Sequence, residues 1–179
     1  MRPTHHLDIL IRSAHIDREL HARLLLLTHR MLAHGEHTLA VAWPDWGDAP
    51  GEFGLLFRLF GEEAGLALFD GQLDGLRERK LIRSYPVAAV PASASTVAYL
   101  RHRTIEKHTP GFAARQARRN ERLGAPKPTR QPQAINCHSL EMQSVSTGRS
   151  YALFLKREAA APEGAGGRQY GLGVTLPDF

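Results

Sequence analysis

Leu7, Ile9 and Ile11 alternate with Asp8, Leu10 and Arg12, a period of two that predicts a first strand. Over residues 17–33 the period changes. Leu20, Leu24, Leu27 and Met31 fall at i, i+4, i+7 and i+11, the apolar stripe of a helix, and Gly35 is placed to stop it. Residues 38–43 predict a second strand ended by Pro44, and residues 43–51, rich in Asp, Gly and Pro, predict a loop. Phe53, Leu55, Phe57 and Leu59 alternate with Gly54, Leu56, Arg58 and Phe60 as a third strand. Glu62 and Glu63 suit a helix N-terminus, so a second helix is expected through about Lys80, weakened by Gly71 and Gly75. Residues 84–90 are the expected fourth strand. The order β-α-β-β-α-β is that of the ferredoxin-like, split βαβ arrangement, and the fold class expected is α+β. Such a fold hosts many functions and decides little by itself.

The rest of the chain changes character. Residues 91–96 form a small-residue connector, after which Val97, Tyr99, Arg101, Arg103 and Ile105 alternate as one face of a strand. Thr109 is a good N-cap and Pro110 suits the first helical position. Gly124 and Pro126 end that helix. Between them lies FAARQARRNERL, in which Arg115, Arg118, Arg119 and Arg122 fall at i, i+3, i+4 and i+7 and share one face. The opposite face offers only Phe112 and Leu123 for burial. Four clustered cations repel one another unless an anion answers them, and Glu121 cannot neutralise four. A solvated, salt-bridging helix would intersperse the signs. The helix of residues 110–123 is therefore expected to grip phosphates.

Charge agrees with that division. Residues 1–96 carry 10 Lys and Arg against 12 Asp and Glu, net −2; residues 97–179 carry 13 against 6, net +7; together they give the chain's +5. A basic half on a mildly acidic half suggests a polyanion surface on one side. Two units are expected, residues 1–92 and residues 93–179. The single cysteine, Cys137, excludes an internal disulfide framework and a multi-cysteine zinc site. No apolar run approaches the roughly 20 residues that cross a membrane. A cytoplasmic protein is expected, monomeric when alone, with no membrane partner.

Several residues could carry chemistry. Ser144-Val145-Ser146-Thr147-Gly148 precedes a strand-like stretch over residues 149–157, and Tyr170-Gly171-Leu172 follows a Gly-rich linker at 164–167. Alone, the first is an ordinary turn composition and the second a half-buried aromatic. His29 lies about 180–200° around the first helix from Leu20 and Leu27, off the packing stripe. It is also near the helix C-terminus, where the dipole favours the protonated form. A cysteine hydrolase built on Cys137 and His138 is rejected, because neighbours on a strand point to opposite faces.

Taken in order, five segments resemble the Csy-type CRISPR repeat endoribonucleases of subtype I-F systems. They are HLDILIR, LTHRMLAHGEHTLAVAWPD, IEKHTPGFAARQARRNERL, SVSTGRSYALFLKR and YGL near Phe179. The resemblance implies cleavage of a repeat hairpin at the 3′ foot of its stem, without metal or other cofactor. The upstream 2′-hydroxyl attacks and leaves a 2′,3′-cyclic phosphate. His29 would be the general base, Ser144 would orient the 2′-hydroxyl, and Tyr170 would position the histidine or the nucleotide. Arg103 would read a guanine edge, flanked by Arg101 and Lys107. Tyr151 would stack on the terminal base pair. Ser146 would support the turn, and the four helix arginines would hold stem phosphates. Ile105 stands where the family has a glutamine, so the neighbouring base pair is expected to be read differently. The protein would then stay on the crRNA within a surveillance complex. The rival reading is a subunit that binds a hairpin without cutting it.

Overall fold

The structure is a computed structural model that describes residues 3–13, 15–35, 38–92, 95–124, 137–144, 147–162 and 169–179. It is an α+β protein with two antiparallel sheets. The first half runs β1 (His5–Ile11), α1 (Asp17–Ala33), β2 (Leu39–Ala42), β3 (Leu56–Gly61), α2 (Glu63–Gly71), α3 (Asp74–Glu78), β4 (Ile82–Ser84) and β5 (Ala88–Ala89). Its strands lie in the order β2-β3-β1-β4, with β5 also on β1. The second half runs β6 (Ser95–Arg101), α4 (Arg103–Glu106), α5 (Pro110–Leu123), β7 (His138–Gln143), β8 (Ser150–Glu158), a 3-10 turn (Gln169–Gly171) and β9 (Thr175–Asp178). Its sheet has the order β7-β8-β6-β9.

Four local expectations are corrected. The expected second helix is two, because the chain breaks between Gly71 and Asp74. The third strand begins at Leu56; Phe53 is fully buried but lies in the loop before it, while Leu55 is exposed. The fourth strand is split in two: Ile82–Ser84 starts earlier than expected, and Ala88–Ala89, within the expected range, pairs with β1 separately, Pro86 between them lacking an amide donor. Arg103 and Ile105 do not continue the β6 face. They lie on α4, which starts two residues after the strand ends.

The strand core is where the alternation put it, but on α1 the packing face is turned from the expected stripe: Leu20 and Leu24 are buried with His21, Leu25 and Thr28, while Leu27 and Met31 are only half-buried. Leu7 pairs with Leu59 and Ile9 with Phe57 across β1 and β3, all four fully buried. The other face of the same pair sets Asp8 opposite Arg58. Arg58 Nε and Nη2 donate to the two Asp8 oxygens at 2.6 and 2.8 Å, and Nη1 donates to the Phe179 carbonyl at 2.6 Å. The guanidinium also lies 4.0 Å from the Phe179 ring centre. A bidentate, shielded pair of this kind satisfies a charge that would be costly alone. It ties the end of the chain to the back of the first sheet. Tyr99 on β6 donates its hydroxyl proton to the Trp43 carbonyl at 2.7 Å, and the two sheets share one hydrophobic cluster.

Candidate functional site

Helix α1 buries Leu20, His21, Leu24, Leu25 and Thr28. That face includes a histidine that the apolar pattern passes over. His21 Nε2 donates to the Gly54 carbonyl at 2.9 Å, and its Nδ1 accepts from Trp43 Nε1 at 3.2 Å. Burial pushes its pKa down, which fits a neutral core imidazole with both nitrogens engaged. His29 is the contrasting case. It is half-buried near the C-terminal end of the same helix, and its ring stacks on Tyr170 with centroids 4.3 Å apart and planes 28° from parallel.

The 3-10 turn that carries Tyr170 is tightly seated. A Cβ on Gly171 would stand 3.0 Å from the Ala40 Cα and 3.1 Å from the Leu39 carbonyl oxygen, so only glycine lets this backbone meet β2 so closely. Tyr170 itself has φ 63° and ψ 12°, a left-handed conformation that costs a bulky L-residue about 1–2 kcal/mol. Its ring is almost fully buried, and its hydroxyl is hydrogen-bonded to the hydroxyl of Tyr151 on β8. Burial first, and then the bond to Tyr170, push the Tyr151 phenol well above the usual tyrosine range; Arg101 at the end of β6 opposes that shift.

Tyr151 also locates the Ser144 turn. It stands opposite Met142 in the β7–β8 ladder, one pair before Gln143 and Ser150 close it. Ser144 N donates to the Arg149 carbonyl at 2.9 Å, Gly148 N donates to the Ser144 carbonyl at 2.8 Å, and Ser144 Oγ accepts from Thr147 N at 3.3 Å. Ser146 lies outside the described residues. At the other end of β7, Arg18 Nη2 donates to the Ser139 carbonyl at 2.9 Å. From Arg18 to His29 the helix advances about 16 Å. From Ser139 to Ser144 the strand advances about 17 Å. Helix and strand start side by side and meet again through Tyr151, Tyr170 and His29. They therefore run in the same sense and carry His29 and the Ser144 turn to one end of the molecule.

The arginines occupy the neighbouring elements. His102 N donates to the Phe154 carbonyl at 2.7 Å, which prolongs the β6–β8 pairing by one residue before α4 turns away. Arg103 and Lys107 are exposed there, and Arg101 is half-buried. Helix α5 forms between the expected signals. Thr109 Oγ1 accepts from Phe112 N at 3.2 Å, and Gly124 takes the left-handed C-cap with φ 58°. It buries no residue, and Arg115, Arg118, Arg119 and Arg122 are all exposed. Burial does not account for this helix, so the arginine face is available to a ligand. Cys137 and His138 form no nucleophile–base pair: His138 stacks on Trp46 with centroids 3.8 Å apart, and its Nε2 donates to the Glu52 carbonyl at 3.1 Å.

Residues 8–179 match the family described as CRISPR-associated protein (Cas_Csy4). The chain belongs to the Cas_Csy4 family. Its activity class follows at the family's level, CRISPR-associated RNA processing by a repeat endoribonuclease that binds CRISPR repeat RNA. A search of curated proteins found no match. Among the described residues of this Cas_Csy4 protein no group of His, Cys, Asp and Glu is arranged to hold a metal ion. No described helix is long and apolar enough to cross a membrane. The hydroxyl link from Tyr151 to Tyr170 was not legible in the sequence, because no local spacing relates positions on β8 and the 3-10 turn.

Proposed function

We propose that this Cas_Csy4 protein cuts its repeat hairpin at the 3′ foot of the stem with His29 as general base. The observation that carries the reading is the His29–Tyr170 stack at the end of the molecule that also holds the Ser144 turn. His29 takes the proton of the upstream 2′-hydroxyl. That oxygen attacks the adjacent phosphorus in line, and the bond to the 5′ oxygen breaks, the departing 5′ oxygen taking a proton from water. The products are a 2′,3′-cyclic phosphate and a 5′-hydroxyl, and no metal is required. Ser144 orients the 2′-hydroxyl, Tyr170 positions the imidazole, and Ser146 supports the turn. Holding the reactants in line removes much of the entropic cost of the step.

The stem lies along the basic half. Arg115, Arg118, Arg119 and Arg122 hold its phosphates, Arg103 reads a guanine at the foot with Arg101 and Lys107 beside it, and Tyr151 stacks on the last base pair. The division into residues 1–92, a ferredoxin-like unit with the histidine, and residues 93–179, the RNA-binding unit, belongs to this reading. So do a cytoplasmic setting, a monomer before RNA binds, and retention of the crRNA in a surveillance complex.

The test is product chemistry. A repeat hairpin is incubated with the protein in excess chelator, and the ends are identified. A 2′,3′-cyclic phosphate is expected, with no cleavage when the upstream 2′-hydroxyl is replaced by hydrogen. Cleavage of that deoxy substrate would refute the mechanism, and binding without cleavage of the all-ribose hairpin would favour the non-cutting subunit.

A further inference from the structure

The proposed function uses only one surface of Tyr151, its ring face against RNA. The other, its hydroxyl, is bonded to the Tyr170 hydroxyl. Tyr170 in turn lies face to face with the His29 imidazole. Three rings from three elements, β8, the 3-10 turn and α1, are thus joined in series.

The middle member needs holding. Gly171, pressed against β2, fixes the backbone beneath Tyr170, but a tyrosine ring still turns about its own side-chain torsions. Its left-handed backbone persists where surrounding contacts over-determine it. The bond from Tyr151 restrains the far end of the ring, the end that the backbone does not control. We propose that Tyr151 is a positioning residue for His29: its hydroxyl, acting through Tyr170, fixes the plane against which the imidazole stacks. This rests on the reading of His29 as the base.

Two further facts agree. A phenol is protonated at pH values where an imidazole base works, and burial pushes the Tyr151 pKa further up, so the link stays hydrogen-bonded. Arg101, paired opposite Leu155 on the strand that carries Tyr151, also acts on the Tyr151 phenol electrostatically, so the link and one of the arginines assigned to the stem foot are both held by β8. The stem foot and the imidazole are then both referenced to one side chain.

Tyr151→Phe isolates the idea, because it keeps the ring and removes only the O–H. The first readout needs no RNA: the NMR shifts of the His29 ring protons, which a stacked Tyr170 displaces by its ring current. The second is cleavage of a repeat hairpin under single-turnover conditions across pH, with affinity measured on the same hairpin carrying a 2′-deoxy cleavage site.

In Tyr151→Phe the His29 shifts are expected to move towards unstacked values and the pH profile to be displaced. Cleavage should slow by about tenfold, the scale of one lost hydrogen bond, with affinity within about twofold of the parent. Tyr151→Ala should weaken binding as well. A phenylalanine variant with parental His29 shifts and parental cleavage would overturn the proposal, even if its melting temperature falls. His29→Ala separates the two readings. Cleavage surviving in it removes the base assignment, whereas its loss alongside a fully active Tyr151→Phe removes only the positioning role.

Discussion

Replacing Arg115 and Arg119 together with alanine should change how RNA binding responds to salt before it changes anything else. The two lie one helical turn apart on α5, their Cβ atoms about 6 Å from each other, and both are exposed. The helix buries no residue, and alanine is at least as good a helix former as arginine. The melting temperature should therefore stay within about 2 °C of the parent. Each phosphate neutralised releases about 0.7–0.9 of a condensed cation. Losing two contacts lowers the slope of log K against log salt by about 1.4–1.8 units. Between about 50 and 200 mM salt, a fourfold change, the parent should then lose about tenfold more affinity than the double variant. The assay is a filter-binding or anisotropy titration of a 2′-deoxy repeat hairpin at four or more salt concentrations. An unchanged slope, with affinity reduced equally at every salt, would refute α5 as the phosphate grip.

Stability should fall in mild acid. Burial lowers the pKa of His21, and also those of His6 and His102. The unfolded chain then binds more protons than the folded one as pH drops below about 6.5. The contribution is present in full above that value and is lost as pH falls towards the depressed folded values. The urea midpoint should be lower at about pH 5.5 than at about pH 7.5, and a flat or rising midpoint would contradict the neutral, buried His21. Removing Arg58 should be severe, since Arg58→Ala leaves the shielded Asp8 carboxylate without its bidentate partner. A loss of about 3 kcal/mol is expected from denaturant unfolding, and a loss under about 1 kcal/mol would show that the pair contributes little.

How much of this was legible depended on how local the signal was. Helix α1 occupies the residues its stripe predicts, and α5 carries its N-cap, proline and glycine signals within its own segment. Alternation served less well where strands are buried on both faces. Val97, Ala98, Tyr99 and Leu100 are all buried, so a period of two did not mark where β6 ends, and Arg103 and Ile105 were carried along as strand. On α1 the stripe of Leu20, Leu24, Leu27 and Met31 misplaced the packing face: Ala22, Leu25 and Thr28 are buried while Leu27 and Met31 are half-buried, so His29 borders that face beside Ala22 and Leu25 instead of opposing it. The stripe also missed that His21 is a core residue, because the partners that make its burial tolerable, Trp43 and Gly54, lie on other segments. The same limit hid the Tyr151–Tyr170 bond. Such pairings are tertiary, and no single segment of sequence states them.

The central claim is that His29 performs the proton transfer while the arginine helix performs the binding. It is tested most directly by His29→Ala, measured for both properties on one repeat hairpin in excess chelator. The variant should bind the hairpin within about twofold of the parent and cut it at least about 100-fold more slowly. Cleavage at the parental rate would contradict the account.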